Sequence, residues 1–323
     1  MNYYLGIDIG GTKCAVILGS LSGLDITIDD RLSFPTEVNK GPEYSINNII
    51  SKAELILKKN GKSAADISRI GISCGGPLDS KKGSIMSPPN LIGWDDINIV
   101  EILEKRFGIP AKLQNDANAC ALAEWRFGAG KGFSNVIFLT FGTGMGAGLI
   151  LDGRLYSGTS DMAGEAGHIR LDRNGPVGYG KSGSFEGFCS GGGVAQLAKT
   201  MVLEKLQAGE KVNFCSSMDK LDTLNAKVVG DAAEAGDKLA MEIYRTSGYY
   251  LGKGLSIIID LLNPEVIVIG SIFVRSRDLL WPEAYEVIKK ECLCHSQRVC
   301  RVVPADLGEK IGDYAALAVA VNE

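Results

Sequence analysis

Short apolar runs separated by glycine turns open the chain. Residues 3–9 and 14–18 predict two strands, and Gly10-Gly11-Thr12-Lys13 between them has the length and glycine content of a hairpin turn. A helical period follows, with Ile46, Ile49, Ile50, Ala53 and Leu57 on one face and Asn60-Gly61 closing it with C-cap chemistry. Residues 70–73 and 111–113 predict short strands that run into Gly75-Gly76-Pro77 and Gln114-Asn115-Asp116. A helix is expected over about 117–127, for which Asn115 or Asp116 is a suitable N-cap. A strand over 136–141, the turn Gly142-Thr143-Gly144-Met145-Gly146 and a returning strand over 147–151 then repeat the opening about 130 residues later.

That repeat predicts two α/β domains on one plan. Residues 158–193 are rich in Gly and Ser and contain Glu165, His168 and Glu186; long irregular segments of this kind tend to carry function. Helical patterning covers 194–206 and 237–262 and stops at Asn263-Pro264. A strand over 266–269, Gly270-Ser271 and a helix over 276–291 follow, and small residues over 307–321 predict a helix that returns to the first domain. The expected division is an N-terminal α/β domain of residues 1–115, completed by 307–323, and a larger C-terminal α/β domain of 116–306.

The length of 323 residues suits two domains. With 45% hydrophobic and 22% charged residues, neither wholesale disorder nor a coiled coil fits. A net charge of −4 without a basic cluster argues against a nucleic-acid partner. The longest apolar stretches fall far short of the roughly 20 residues that cross a bilayer, so no membrane association is expected. The N-terminus lacks a basic n-region and meets Asp8 too early for a signal peptide, which predicts a cytoplasmic protein. Eight scattered cysteines read as reduced thiols, and Cys292, Cys294, His295 and Cys300 read as groups near a helix end rather than a zinc site.

Three glycine patterns compete for a phosphate. Gly175-Pro176-Val177-Gly178-Tyr179-Gly180-Lys181-Ser182 satisfies the literal P-loop pattern, but no helical start follows Lys181-Ser182. The run Gly142, Gly144, Gly146, Gly148 opens a strand, whereas a dinucleotide fingerprint must open a helix. The remaining reading takes Gly10-Gly11-Thr12-Lys13 and Gly142-Thr143-Gly144 as two turns on one nucleotide. Glycine lets backbone N–H groups approach phosphate, the Thr hydroxyls add donors, Lys13 adds positive charge, and Asp8 is placed to hold Mg²⁺.

The segments Asp8-Ile9-Gly10-Gly11-Thr12-Lys13, Asn115-Asp116-Ala117-Asn118-Ala119, Gly142-Thr143-Gly144-Met145-Gly146-Ala147-Gly148 and Gly164-Glu165-Ala166-Gly167-His168 resemble, in order and spacing, the ROK family of sugar kinases and sugar-responsive repressors. The resemblance covers nearly the whole chain. It implies an actin-like ATPase (ribonuclease H-like) fold with two related α/β domains around a cleft, and transfer of the ATP γ-phosphoryl group to a hexose hydroxyl, usually the 6-hydroxyl. The repressor branch carries a helix-turn-helix ahead of the first motif. Here that motif begins at residue 8, so the kinase branch is expected. Asp116 matches the catalytic base, and a helix N-terminus is expected to keep it ionised and weakly basic. Asn90, Asn115, Glu165, His168 and Glu186 match sugar-contacting residues together with Asp116. Gly10, Gly11, Thr12, Lys13, Gly142, Thr143, Gly144 and Gly270 match the ATP side, with Ser271 standing where a second glycine is usual and Gly75 where proline is usual. Glucose or a related hexose is the expected acceptor; an N-acetylglucosamine or N-acetylmannosamine kinase and a non-catalytic sugar sensor are the alternatives. A homodimer is an assembly the family commonly forms.

Many members of the family carry a structural zinc motif, C-x-C-G-x-x-G-C-x-E. Alignment on Gly180, Gly183 and Glu186 puts Val177, Tyr179 and Ser184 at its three cysteine positions, so no zinc is expected. Packing of Tyr179 and Phe185 is expected to order the loop instead.

Overall fold

The computed structural model describes residues 1–322. The opening hairpin forms: β1 (Asn2–Ile9) pairs antiparallel with β2 (Lys13–Ser22), which pairs with β3 (Asp25–Pro35). The sequence reading did not foresee β3: Ile26, Ile28, Leu32 and Phe34 keep a two-residue period, but Asp30 interrupts the apolar set, and a register shift opposite Leu18 and Gly19 sends the two halves to opposite faces of the sheet. After α1 (Pro42–Lys59), β4 (Ile67–Cys74) lies parallel to β1. A small sheet of β5 (Leu78–Asp79), β6 (Ser84–Ile85) and β7 (Ile97–Asn98), then α2 (Ile99–Phe107), lead to β8 (Ala111–Asn115), parallel to β4. The first large sheet has the order β3-β2-β1-β4-β8, and α3 (Asp116–Phe127) leaves β8 without a connecting residue.

The chain continues through β9 (Val136–Phe141), β10 (Met145–Leu151) and β11 (Arg154–Leu155). The irregular segment then holds a tiny hairpin, β12 (Val177–Gly178) and β13 (Lys181–Ser182), and α4 (Phe185–Cys189). Helices α5 (Gly191–Gln207), α6 (Ala226–Glu234) and α7 (Lys238–Leu262) precede β14 (Val266–Ile269), α8 (Ile272–Glu291), α9 (Cys294–Val299), β15 (Arg301–Pro304) and α10 (Ile311–Val321). The second large sheet has the order β11-β10-β9-β14-β15. Counted along the chain, both sheets place their third, second, first, fourth and fifth strands side by side, the common plan that the repeated glycine hairpins predicted.

Two helix ends differ from expectation. Helix α8 starts at Ile272 instead of 276 and kinks at Ser276 (φ −118°, ψ 27°), and α10 starts at Ile311 because residues 308–310 form a 3-10 turn. The chain divides into two compact units, one of Met1–Phe138, Gly148–Ala163 and Asp306–Glu323, the other of Leu139–Ala147 and Gly164–Ala305.

In the first unit the sheet is covered on both faces, which is why β2 reads as an unbroken apolar run. Cys14, Val16 and Leu18 join Ile49 and Ile56 of α1 and Ile99 and Leu103 of α2. Their neighbours Ala15 and Ile17 point the other way, to Ala316 and Leu317 of α10. The small residues of α10 let its backbone touch the sheet: a Cβ on Gly71 would stand 2.2 Å from the Ala316 carbonyl oxygen and 2.3 Å from the Ala320 nitrogen. No flexible side chain can yield there. Gly71→Ala is expected to cost ~1–3 kcal/mol or more, the range for overpacking a core, read as a lowered thermal midpoint.

Candidate active site

Parallel strands β1, β4 and β8 end on the same edge of the first sheet, and their register puts Ile9, Cys74 and Asn115 in one row. That edge is where open α/β sheets bind ligands. Asp8 lies one residue before the row on β1, and Asp116 one residue beyond it, as the first residue of α3. The turn after β4, with its cis Gly76–Pro77 peptide, lies beside both residues of the Asn115-Asp116 pair: a Cβ on Gly75 would be 3.9 Å from Asp116 Oδ2, and one on Gly76 3.1 Å from Asn115 Nδ2.

Asn115 is the helix cap, its side-chain oxygen accepting from the Ala117 N–H at 3.0 Å, while Asp116 Oδ1 accepts from the same N–H at 2.8 Å. The expected weak basicity of Asp116 is overturned. Burial pushes its carboxyl above the usual range, outweighing the N–H groups of Ala117 and of Asp116 itself. Asp116 retains solvent-accessible surface, so this is a crowded but reachable carboxylate. Asp8 is pushed up to about 7 by burial and then by the charges of Asp116 and Asp313, against which Lys13 and Arg31 pull down. Arg31 is itself bound to Asp313, its Nε donating to Oδ1 at 2.7 Å.

The first glycine turn borders this site. Gly10 N–H donates to the Lys13 carbonyl at 3.1 Å, and Thr12 and Lys13 are exposed. Buried Thr36, which sequence reading missed, ties the turn by donating its N–H to Thr12 O and its hydroxyl to Gly10 O. Asn90 is exposed on a loop against the turn: a Cβ on Gly11 would come within 2.6 Å of the Asn90 carbonyl oxygen.

The second unit gathers the other group. Gly142, Thr143 and Gly144 form the turn between β9 and β10, and the N-terminus of α5 docks on it, with Gly191 N–H donating to Gly142 O at 2.9 Å and Gly192 N–H to Thr143 O at 3.3 Å. Gly142 and Thr143 of this turn, Gly191 and Gly192, Ser271 and Arg275 of the β14–α8 region, and Lys227 and Tyr244 line a cavity of about 610 Å³. Sequence reading missed Gly191, Gly192, Lys227 and Arg275, although Ser190 ahead of three glycines was a legible helix start. Gly270 is buried and is not among the residues lining the cavity, its N–H donating to Leu139 O at 2.8 Å. Ser271 adopts φ 55°, ψ −114°, a conformation that favours glycine, with its hydroxyl 3.3 Å from Thr140 Oγ1. Glu165 and His168 are exposed at a 3-10 turn. Glu186, in the first turn of α4, accepts from the Met145 N–H at 2.9 Å and so braces the second glycine turn.

Two sheets of one strand order, each with a glycine hairpin, are the architecture of an actin-like ATPase fold, and Asp8 and Asp116 stand at the strand ends of the first. The chain belongs to the ROK family, whose model matches residues 4–323. It is 34% identical over 280 residues to a glucokinase of Halalkalibacterium halodurans, spanning 86% of this chain and 82% of that protein. Its fold is similar to that of a ROK hexokinase from Thermus thermophilus, with a TM-score of 0.79 at 26% identity over 98% of this chain and 97% of that one. It is also similar to a ROK glucokinase from Streptomyces griseus solved with glucose and AMPPNP, with a TM-score of 0.75 at 27% identity and full coverage of both chains. No helix among the described residues is long and apolar enough to cross a membrane.

Cys14 and Cys74 flank Ile9 from the two neighbouring strands, and burial raises both thiols. Cys189 is buried and raised in the same way, whereas Cys294 is exposed. Iodoacetamide at pH 8 is expected to alkylate Cys294 in the intact protein and Cys14, Cys74 and Cys189 only after unfolding, as mapped by peptide mass.

Proposed function

We propose that this chain is an ATP-dependent hexose kinase of the glucokinase type, with glucose or a closely related hexose as acceptor and Asp116 as the base. The carrying observation is the placement of Asp8 and Asp116 at the ends of parallel strands, with Asp8 in the field of Asp116. The similarity to glucokinases supports the acceptor and the nucleotide.

The sugar 6-hydroxyl oxygen attacks the γ-phosphorus, the bond from that phosphorus to the β,γ-bridging oxygen breaks, ADP leaves, and the hydroxyl proton passes to Asp116. A carboxyl raised by burial is a better proton acceptor than the helix-capped group expected from sequence, and in a loose transition state positioning still carries most of the effect. Hard carboxylate oxygens suit a divalent cation, and Asp8 lies in the field of Asp116 and Asp313, where added positive charge relieves like-charge repulsion. Asp8 would hold the Mg²⁺ that offsets the charge of the transferring phosphates. Gly10 to Lys13 and Gly142 to Gly144 supply N–H groups, hydroxyls and one ammonium to those phosphates. The cavity beside Gly142 and Thr143 is of ligand size and takes the nucleoside portion. Asn90, Asn115, Glu165, His168 and Glu186 are the proposed contacts to the sugar hydroxyls, since amides and carboxylates can each bridge two O–H donors.

A coupled ADP-release assay with Mg·ATP and a panel of glucose, mannose, fructose, N-acetylglucosamine and N-acetylmannosamine tests this reading. Turnover is expected with glucose. Asp116→Asn should lower kcat by ~10²–10⁴-fold with little change in glucose affinity, the range for losing a general base. Faster turnover on an N-acetylated sugar would reassign the acceptor, and sugar binding without ADP release would make the chain a sensor.

A further inference from the structure

Zinc does not fit the glycine-rich segment. Val177 offers no donor atom, Ser184 Oγ accepts from the Gly187 N–H as the cap of α4, and Tyr179 is 81% exposed at the tip of the β12–β13 hairpin. Among the described residues no group of three or more His, Cys, Asp or Glu is arranged to hold a metal ion. Tyr179 therefore does not order the loop by burial as expected, although Phe185 is fully buried.

Hydrogen bonds tie the segment instead. The Gln196 amide of α5 grips Val177 at both backbone groups: the Val177 N–H donates to Oε1 at 2.9 Å, and Nε2 donates to Val177 O at 2.8 Å. This reproduces the paired bonds of an antiparallel ladder. Lys181 Nζ donates to the His168 carbonyl at 2.7 Å, Arg170 to Ser182 O at 2.7 Å, and Ser182 Oγ to Gly175 O at 2.9 Å. Tyr250 closes the base, its hydroxyl donating to Asp172 at 2.7 Å and its ring stacked on Phe188 at 3.4 Å. The loop packs directly on the sugar-facing residues assigned above. A Cβ on Gly178 would stand 2.8 Å from the Glu186 Cβ, and the Tyr179 ring meets the His168 ring edge-on at 6.3 Å. Residues 175–182, which mimic a P-loop in sequence, thus spend their lysine and serine on the loop's own carbonyls.

We propose that this segment is a metal-free clasp in which Lys181 and Gln196 are positioning residues for His168 and Glu186, an inference that rests on the hexose-kinase reading. Losing the charge-assisted bond to a partly exposed carbonyl is expected to raise the glucose KM of Lys181→Met by about 5-fold, with Lys181→Arg restoring it. The kcat and the ATP KM should stay within about twofold, a split that general destabilisation would not give. Gln196→Leu should speed backbone hydrogen exchange over residues 175–183 while α7 keeps wild-type protection. Purified protein should contain well below one zinc per chain and keep its activity in a zinc chelator. One zinc per chain overturns the clasp, as does an unchanged glucose KM in Lys181→Met, or a rise in glucose and ATP KM together. If the wild-type protein phosphorylates no sugar, the kinase reading fails, and the exchange experiment alone then decides the clasp: unchanged exchange in Gln196→Leu overturns it.

Discussion

Everything in the first unit follows from three parallel strands ending in one row. Because β1, β4 and β8 run the same way, Ile9, Cys74 and Asn115 are neighbours, and Asp8 and Asp116 lie at a shared edge where burial disfavours charge on both and the field of Asp116 disfavours it further on Asp8. A parallel sheet needs cover on both faces, and α1 and α2 supply one cover while α10 supplies the other. The closing helix also reaches the acidic edge: a Cβ on Gly312 would lie 3.2 Å from Asp8 Oδ2, and Asp313 contributes to the field that raises Asp8. Stability and chemistry therefore share one element at the far end of the chain.

The glycines sort by what they permit. Gly71 admits a helix backbone onto the sheet, and Gly11 admits the Asn90 loop onto the first turn. Gly142 has open space where its Cβ would be, as a turn that accepts a ligand should. Around Glu186 the pattern inverts, since Gly167, Gly178 and Gly193 each clear room for atoms of that one residue, so its carboxylate can reach the Met145 N–H. A glycine-rich stretch that looks loose in sequence is close-packed.

Amide and ammonium groups can do the ordering work that a metal does, provided that their partners are backbone carbonyls already held in place. Gln196 offers one donor and one acceptor in a plane that matches a peptide unit, and Lys181 a single charge aimed at one oxygen. Such a clasp releases no protons on assembly and depends on no metal supply, unlike thiolate-bound zinc.

Periodicity and glycine spacing were sufficient, in the sequence by itself, for both hairpins, the repeated plan, α1, α3, α7 and β14, because each of those features is local and announces itself within a few residues. Asp8, Gly142 and Thr143 stood out with the glycine turns themselves, whereas Asp116 was singled out by the resemblance to the ROK family. What only the tertiary structure decided depended on neighbours distant in the chain. Strand β3 hid because Asp30 interrupts its apolar positions, and Thr36 and Gly191 gained their roles by what they touch. The helix N-terminus that favours an ionised Asp116 was visible in sequence, but the burial that overrides it was not, since desolvation sums over every atom the fold brings near. Tyr179 shows the same limit from the other side: an aromatic in a glycine-rich loop reads as packing, and the fold leaves it in solvent because hydrogen bonds from Gln196 and Lys181 hold the loop without it.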